Sequence, residues 1–510
     1  MKLERTKNAG RNIFFGGVLN IYQILFPFLI RTVIIYYLGM EYIGLNGLFG
    51  SILQVLNLAE LGIGSAMVFN MYKPIAENDI ATVCALMKLY RTYYRIVGMI
   101  VLVCGLALTP FLRYLIKGEI PHGLNLYVLY LINLLATVLS YWMFAYKSCI
   151  LNAYQRNDVI SKISFGTTTI EYILQLCAII VFHNYYYFLL AKVISQMLRD
   201  FIAAIVSGKL FPQYSPTGSL DKAEVSAINH KIKDLFTAKV GGVIVNSVDT
   251  IVISAFLGLR ILGIYNNYYY ILTSVIGFIY VIFGACTAGI GNSIVTETAD
   301  KNYSDFQVFS FIICWLSGFC TCCFLCLYQP FMLIWIKDRN KMLGMPEVLC
   351  FCIYFFVYEI AAMMLQYKDA AGLWHEDRFR PLITAISNLV MNIILVNYIG
   401  ILGVLLSTVL SFAFIGIPWL IKNIFKYLFN RSPFFYIKRL FIYIIIVIVS
   451  CVCTHSLCSM VHDNSYFGLL YRGMICFIVS NGIYWLFYHK TKEYERTLVI
   501  VKQMIATVSK

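Results

Sequence analysis

Ionisable side chains inside long apolar segments are the residues of this chain with the most distinctive chemistry. A charge at the centre of a bilayer costs about 2.5–3.5 kcal/mol on insertion scales, so such residues usually face a bundle interior or a wet cavity. An arginine there presents forked donors to phosphate, and a lysine presents a point charge. Five basic residues are candidates to bind an anionic ligand in this way: Arg31, Lys192, Arg199, Lys239 and Arg260.

Helical spacing places the polar residues of several segments on shared faces. Residues three or four positions apart lie on one side of a helix. The polar lines are Asn20, Gln23, Pro27 and Arg31 on the first apolar segment; Asn46, Asn57, Glu60 and Gly64 on the second; Thr168, Glu171 and Gln175 on the fifth; Lys192, Ser195, Gln196 and Arg199 on the sixth; and Lys239, Asn246 and Thr250 on the seventh, with Asp249 on its flank. The proline also predicts a kink in the first helix.

These polar lines have two interpretations. Either they line a water-filled cavity with a net positive charge, or they join helices through hydrogen bonds and ion pairs such as Glu60 with Arg31. We favour the cavity for the set as a whole. For Arg199 and Lys239 a simpler role stays open, because long basic side chains also extend to the membrane surface.

The composition identifies the elements that must position these residues. Of the 510 residues, 60% belong to the set AVILMFWYC and only 13% are charged, whereas charged residues make up roughly 25% of soluble domains. The apolar residues run in blocks of about 20, the length that crosses roughly 30 Å of hydrocarbon. These features exclude a soluble globule and predict an all-α polytopic membrane protein.

A hydropathy window of about 19 residues predicts fourteen membrane spans. The first six are 12–38, 42–71, 94–115, 123–146, 160–182 and 185–207, and after a polar connection the other eight are 235–257, 261–291, 306–328, 346–366, 381–398, 401–421, 438–458 and 466–488. The predicted domains are an N-lobe at 1–207, the cytoplasmic connection at 208–234, a C-lobe at 235–421, and spans 13 and 14 with a cytoplasmic tail at 422–510.

The basic residues predict the orientation of the chain. If the N-terminus is cytoplasmic, 31 of the 40 Lys and Arg residues lie in or beside cytoplasmic segments, as the positive-inside rule requires. Both termini are therefore expected in the cytoplasm. Membrane topology also explains most of the net charge of +15 without a nucleic-acid partner. The 16 cysteines lie mostly in apolar blocks, so we expect no disulfide framework. In the densest cluster, Cys320, Cys322, Cys323 and Cys326, we expect buried free thiols rather than a metal site, because the flanking residues offer no polar second shell.

An internal repeat emerges when the chain is shifted by 219 residues. LGMEYIGL at 38–45 then lies over LGLRILGI at 257–264, with Leu and both Gly positions identical. A weaker match at a nearby offset places Ile163 and Ser164 over Ile386 and Ser387. Six spans per copy, an even number, keep both copies in the same orientation. Parallel repeats of this kind build transporters with a central site between two lobes.

Three segments resemble a known family. They are LNLAELGIGSAMVFNMYKPIAENDI at 56–80, SVDTIVISAFLGLRILGIYNNYYYI at 247–271 and AAGLWHEDRFRPLITAISNLVMNIILVNYIGILGVLLSTVLS at 370–411. With the span count, they are similar to the bacterial polysaccharide flippases, the O-antigen and capsule repeat-unit exporters of the multidrug/oligosaccharidyl-lipid/polysaccharide exporter superfamily. The resemblance implies two six-helix lobes with two appended spans. It also implies alternating access in the cytoplasmic membrane, which carries an undecaprenyl-pyrophosphate-linked oligosaccharide to the outer leaflet for lipopolysaccharide, capsule or exopolysaccharide.

The resemblance also suggests roles for the polar residues. The five basic candidates would bind the pyrophosphate, and a belt of Arg91, Arg95 and Lys147 would gather it at the cytoplasmic entrance. The cavity lining, including any site for a coupling Na⁺ or H⁺, would be Asn20, Gln23, Asn57, Glu60, Glu171, Gln175, Asn246, Asp249 and Glu359. No catalytic residue, metal or bound cofactor is expected. The expected partners are the lipid-linked oligosaccharide and membrane lipids, and we expect a monomer with other polysaccharide-assembly proteins as candidate contacts.

Two alternatives belong to different functional classes. A drug or cation antiporter of the same fold needs acidic residues in its lobes, and the membrane carboxylates are available for that role. A membrane glycosyltransferase or polymerase would be expected to carry acidic pairs on a sizeable outward loop or in a cytoplasmic domain. The longest connection, 208–234, is too short for such a domain, so the enzyme ranks last.

Overall fold

The computed structural model describes the backbone of residues 5–284 and 286–508. Within these ranges, the side chains outside the description are those of residues 5–10, 12–14, 145, 238, 246, 282, 288, 501 and 503–508. The described chain forms helices and no strand. This confirms the all-α prediction, which follows from the need of a lipid-embedded backbone to satisfy its hydrogen bonds internally.

Nineteen α-helices follow one another along the described chain. They are α1 (Arg5–Tyr37), α2 (Met40–Leu56), α3 (Ile63–Glu77), α4 (Ile80–Leu108), α5 (Leu126–Trp142), α6 (Ala145–Ala153), α7 (Asn157–Ile180), α8 (Tyr185–Leu210), α9 (Lys222–Leu257), α10 (Leu259–Gly284), α11 (Thr287–Thr296), α12 (Ala299–Ile336), α13 (Met345–Ala370), α14 (Trp374–Asp377), α15 (Arg380–Ser411), α16 (Ile417–Asn423), α17 (Phe434–Ser459), α18 (Tyr466–Tyr488) and α19 (Lys492–Val508). Shorter 3₁₀ turns cover Asn57–Glu60, Thr109–Leu115 and Arg339–Lys341, and π-helical turns cover Phe412–Gly416 and Ile424–Phe429.

Ten helical stretches of the described residues are long and apolar enough to cross a membrane, or eleven if the bent pair α5–α6 counts as one span. The stretch Trp374–Phe429 counts once, although α15 has a kink at Ile399 and Gly400. Asn388 donates to the Thr408 hydroxyl at 3.0 Å across that kink, so the two halves of α15 run back along each other. Helices α8 and α10 are not among these ten stretches, but they coincide with predicted spans 6 and 8. A helix therefore lies at every predicted span, while the count of fourteen stays a prediction.

By internal contacts the chain forms two compact units, Met1–Gly263 and Ile264–Lys510. In the first unit, α7 packs against both α1 and α8, and α2 packs against α9. In the second unit, α12 is central and packs against α13, α17 and α18. Helix α9 begins at Lys222, so a continuous helix leads from the predicted cytoplasmic connection into span 7.

The two copies of the repeat motif share a backbone conformation. Gly39 precedes α2 with φ 117° and ψ 175°, and Gly258 precedes α10 with φ 94° and ψ 172°. Both conformations favour glycine because a Cβ would be strained there. Within the first unit, the first turn of α10 lies close to α2: a Cβ on Gly44 would clash with the Leu259 carbonyl, and one on Gly263 with the Met40 carbonyl. Gly44 and Gly263 are 219 positions apart, as the repeat predicts.

The cysteines are free thiols. Cys326, Cys458 and Cys476 are buried, and their sulfur atoms all lie within 4.8 Å of one another. Leu327 and Ile475 pack against them. The thiols therefore form part of the apolar contact that joins α12, α17 and α18 in the second unit.

Candidate functional site

Helix α1 has two accessible faces of opposite character. Its exposed large apolar side chains include Val18, Ile21, Leu25 and Leu29. Asn20 and Gln23 are also exposed, yet they lie about 160° around the helix from that apolar face at 100° per residue. Arg31, on the same polar line, is half-buried. Only one of these faces suits lipid, so the polar face requires a wet environment.

Aromatic packing against α7 fixes the rotation of α1. The Tyr22 hydroxyl lies 2.8 Å from the Thr169 hydroxyl, and the rings of Phe26 and Tyr172 stack with centroids 5.6 Å apart and planes 3° apart. These contacts occupy a third side of α1. They leave the line of Asn20 and Gln23 outside the helix–helix contact.

The predicted polar lines of α7 and α8 meet around Glu171. Gln175 donates to the Glu171 carboxylate at 3.2 Å, and Lys192 and Arg199 on α8 interact electrostatically with it. Arg199 donates to the Gln196 side chain. The structure thus brings together four of the predicted site residues, two basic and two polar or acidic, within the first unit.

Lys192 is exposed although it is not on the lipid side of α8. Leu190 and Ile194 are exposed apolar residues of that helix, and Lys192 lies about 160° around the axis from each of them. Its side chain is accessible nonetheless. The first unit therefore has an accessible cationic surface on α8, as it has an accessible polar surface on α1.

Span 2 is interrupted at the residues that were predicted to share a helix face. Helix α2 ends at Leu56, the turn Asn57–Glu60 is 3₁₀-helical, and Gly62 has φ 89°. A regular polar line through Asn57, Glu60 and Gly64 is therefore wrong, because a left-handed residue between the two helices breaks the 3.6-residue period. Non-helical backbone at membrane depth is tolerated where it is buried in protein or lines a water-filled cavity.

Phenol groups hold Glu60 at this interruption. The Tyr94 hydroxyl donates to one carboxylate oxygen of Glu60, and the Tyr141 hydroxyl donates to the other at 2.9 Å. The Asn57 side-chain oxygen is buried and accepts no hydrogen bond from the described residues. Glu60 and Asn57 thus form a second polar group of the first unit, positioned by α4 and α5.

The other predicted site residues are dispersed. Asp249 is buried on α9, whereas Lys239 and Arg260 are exposed. The side chain of Asn246 lies outside the described residues. Glu359 is buried on α13 in the second unit, and one of its oxygens has no hydrogen-bond partner among the described residues.

The predicted entrance belt lies on α4 and α6. The Arg91 guanidinium lies 5.9 Å from the centre of the Tyr146 ring, so Arg91 and α6 are close together. Arg95 is exposed and Lys147 is half-buried. The backbone carbonyl of Arg95 accepts a 3.3 Å hydrogen bond from Trp142.

Sequence reasoning missed a buried ion cluster at the start of α7. Asp158 has a fully buried side chain and is bound by Arg156 at 2.9 Å, Arg11 at 2.8 Å and Lys162 at 3.7 Å. The bond to Arg11 joins α1 to α7. Because an isolated buried charge is very costly, such a carboxylate persists only with paired cations.

A second buried ion cluster lies at the start of α15. Asp377 accepts from Arg380 at 2.8 Å, and the Lys368 ammonium lies 3.6 Å away. Asp377 is 219 positions after Asp158, so the repeat offset could have identified both carboxylates. Asp158 lies at the start of α7 in the first unit, and Asp377 lies just before the start of α15 in the second unit.

Replacing Asp377 by alanine is expected to destabilise the protein by about 3–5 kcal/mol, because Arg380 would remain buried without its counter-ion. The measurement is thermal unfolding of the purified chain in detergent. Asp369 contacts the same lysine but has a half-exposed side chain, so Asp369→Ala is the matched control and should cost less than about 1 kcal/mol. Equal losses for the two variants would contradict the assignment.

The chain resembles known proteins in sequence and in fold. A sequence profile described as polysaccharide biosynthesis protein matches residues 9–287, whereas no curated protein matches the chain at a significant level. The structure is similar to that of the lipid II flippase MurJ in its inward closed conformation, with 14% identity, a TM-score of 0.64, and coverage of 94% of this chain and 99% of that one.

The structures of multidrug transporters are also similar to that of this chain. An inward-facing multidrug resistance MATE family transporter of the MOP superfamily has 13% identity and a TM-score of 0.63, over 80% of this chain and 97% of that one. The Vibrio cholerae MATE transporter VcmN in its bent form has 12% identity and a TM-score of 0.53, over 82% and 96%. At these identities the likeness concerns the fold, which is that of transporters and flippases.

Proposed function

Because the chain belongs to the polysaccharide biosynthesis protein family, we propose that it is a flippase for an undecaprenyl-pyrophosphate-linked oligosaccharide repeat unit. It carries the repeat unit across the bacterial cytoplasmic membrane by alternating access, for the assembly of lipopolysaccharide, capsule or exopolysaccharide. The process is transport without covalent chemistry. The family match and the flippase-type fold support this proposal at the level of the transporter class.

The observation that carries the proposal is that the first unit has an accessible polar surface on α1 and an accessible cationic surface on α8. Asn20 and Gln23 on α1 and Lys192 on α8 are exposed on sides of their helices that the apolar faces do not occupy. Cationic donors can bind a pyrophosphate, and amides can hydrogen-bond to the hydroxyl groups of sugars. The amides lie on α1 and the cationic group on α8, with Arg31 and Arg199 on the same polar lines as further donors.

The second candidate function is a drug or cation antiporter. Glu60, Glu171 and Asp249 in the first unit and the buried Glu359 in the second favour it, since carboxylates bind cationic substrates and coupling Na⁺ or H⁺. The same carboxylates serve the flippase if an ion gradient drives it. The substrate therefore separates the two functions more directly than the carboxylates do.

Reconstituted transport distinguishes the two candidates. Proteoliposomes are loaded with a fluorescent undecaprenyl-pyrophosphate oligosaccharide or with a cationic dye, with and without Na⁺ and pH gradients. The flippase should expose the labelled lipid on the opposite leaflet at least tenfold faster than empty liposomes, and should leave the dye in place. Dye export without lipid movement would support the antiporter and exclude the flippase.

The proposed topology places both termini in the cytoplasm. The positive-inside distribution predicts that a reporter fused at Gly218 is cytoplasmic and that one fused at Asn340 is external. The measurement is paired alkaline phosphatase and fluorescent-protein activity in whole cells. Identical localisation at both positions would contradict the fourteen-span topology.

A further inference from the structure

A cavity of about 650 Å³ lies in the second unit between α16, the π-helical turn Ile424–Phe429 and the start of α17. Ile421, Phe425 and Leu440 contribute to its apolar wall, and Lys422, Lys426 and Arg431 add three basic groups. None of the described residues that line it is acidic. None of the described residues that line it belongs to α1 or α8.

The local backbone brings the three basic residues to one cavity. Lys422 and Lys426 are four positions apart, which places like charges side by side at an electrostatic cost. Asn430 then ends the helical turn with φ 49°, and the chain reverses into α17. That reversal places Arg431 on the same cavity. π-Helical turns such as this one are frequent at functional sites.

The two lysines differ from the arginine in their contacts. Arg431 pairs with Asp300 of α12 and lies 5.0 Å from the centre of the Tyr303 ring, so it is held in place. Lys422 and Lys426 are exposed, and neither has an ion-pair partner within 4.0 Å in the part of the chain that the structure describes. The Lys426 ammonium lies 4.9 Å from the centre of the neighbouring Tyr427 ring, a contact that leaves its charge unneutralised. Their charge is available to a ligand.

The position of the cavity indicates where that ligand comes from. It lies between the end of predicted span 12 and the start of predicted span 13, which the proposed topology places at the cytoplasmic surface of the membrane. Phe434 and Ile437, at the start of α17, are exposed apolar residues and suit contact with lipid. A ligand that enters here therefore has an anionic group for the lysines and hydrocarbon for the apolar wall.

We propose that this cavity binds the phosphodiester head group of an anionic bilayer phospholipid, with the first part of its acyl chains against Ile421, Phe425 and Leu440. The cavity volume is within the range of small-molecule sites. Basic residues near a membrane surface attract anionic lipids by about 1 kcal/mol each. The proposal does not depend on the transported substrate, so it stands or falls separately from the flippase function.

Lipid titrations of the full-length chain test the proposal. The purified protein in detergent is titrated with phosphatidylglycerol, with phosphatidylcholine of the same acyl chains, and with undecaprenyl phosphate, and bound lipids are counted by native mass spectrometry. Phosphatidylglycerol should bind more tightly than phosphatidylcholine. The double variant Lys422→Gln/Lys426→Gln should bind phosphatidylglycerol roughly 25-fold more weakly, about fivefold per lysine, with phosphatidylcholine unchanged.

A nearby lysine provides the matched control. Lys438 is exposed on α17 but does not line the cavity, so Lys438→Gln should leave the tight phosphatidylglycerol site intact. Unfolding temperatures identify any variant that fails to fold, in which case the single substitutions are compared instead. Unchanged phosphatidylglycerol affinity in the folded double variant would overturn the proposal. So would tighter lysine-dependent binding of undecaprenyl phosphate, which would make the lipid carrier the occupant.

Discussion

Replacing Arg31 by alanine is expected to abolish export of the lipid-linked oligosaccharide while the protein stays at its normal level in the membrane. Arg31 lies six residues before the end of α1, about 9 Å along the axis at 1.5 Å per residue, and hence in the outer half of the membrane in the proposed topology. It shares a polar line with the exposed Asn20 and Gln23. We therefore propose that it contacts the pyrophosphate or an acidic sugar late in the flip.

The conservative variant separates charge from geometry. Arg31→Lys keeps the charge but loses the forked donor set, so it should be only partly active. Export is measured as surface polysaccharide in cells that depend on this chain, with protein level determined by immunoblot. Arg339→Ala is the matched control, because Arg339 is exposed in the second unit and should be dispensable. Normal export by Arg31→Ala would remove Arg31 from the transport path.

Replacing Gly44 or Gly263 by valine is expected to prevent stable folding of the first unit. In each case the new Cβ would meet a backbone carbonyl of the other helix, Leu259 for residue 44 and Met40 for residue 263. Backbone atoms cannot rotate away as a side chain can, so α2 and the first turn of α10 must separate. Overpacking costs typically about 1–3 kcal/mol, and occasionally more, and we expect these variants at or above the upper end of that range.

A glycine on the same helix tests whether the crossing is the cause. Nothing lies within 4 Å of a Cβ placed on Gly50 of α2, so Gly50→Ala should be neutral or stabilising by up to about 1 kcal/mol. Membrane yield and thermal unfolding in detergent provide the measurement. If Gly44→Val and Gly263→Val unfold at the temperature of the unaltered chain, the close crossing does not occur.

Several features of the site were predictable because they depend on local patterns. The polar lines of α7 and α8 follow from a period of 3.6 residues, and the structure places Gln175, Lys192 and Arg199 around Glu171. The glycines of the repeat were found by shifting the chain against itself. The shared backbone conformation of Gly39 and Gly258 agrees with that repeat.

Other features depend on contacts between distant residues, and no local pattern predicted them. Periodicity placed Asn57 and Glu60 on one helix face, whereas Gly62 interrupts the helix where its backbone packs against Leu235 of α9. Glu60 is held by Tyr94 and Tyr141, which belong to different helices. Neither tyrosine was among the predicted site residues, because an aromatic residue in an apolar block carries no signal that its hydroxyl meets a carboxylate.

By itself, the sequence determined that this protein is an all-α membrane protein with a duplicated motif. The length of an apolar block and the spacing within it are properties of neighbouring residues, and the bilayer restricts such blocks to helices. Only the tertiary structure decided which polar residues meet. Arg11 and Asp158, for example, are 147 positions apart and yet form a partly buried ion pair. Burial and pairing depend on how the helices pack. The same polar line in a sequence can form a contact between helices or an accessible surface, and only the packing distinguishes the two.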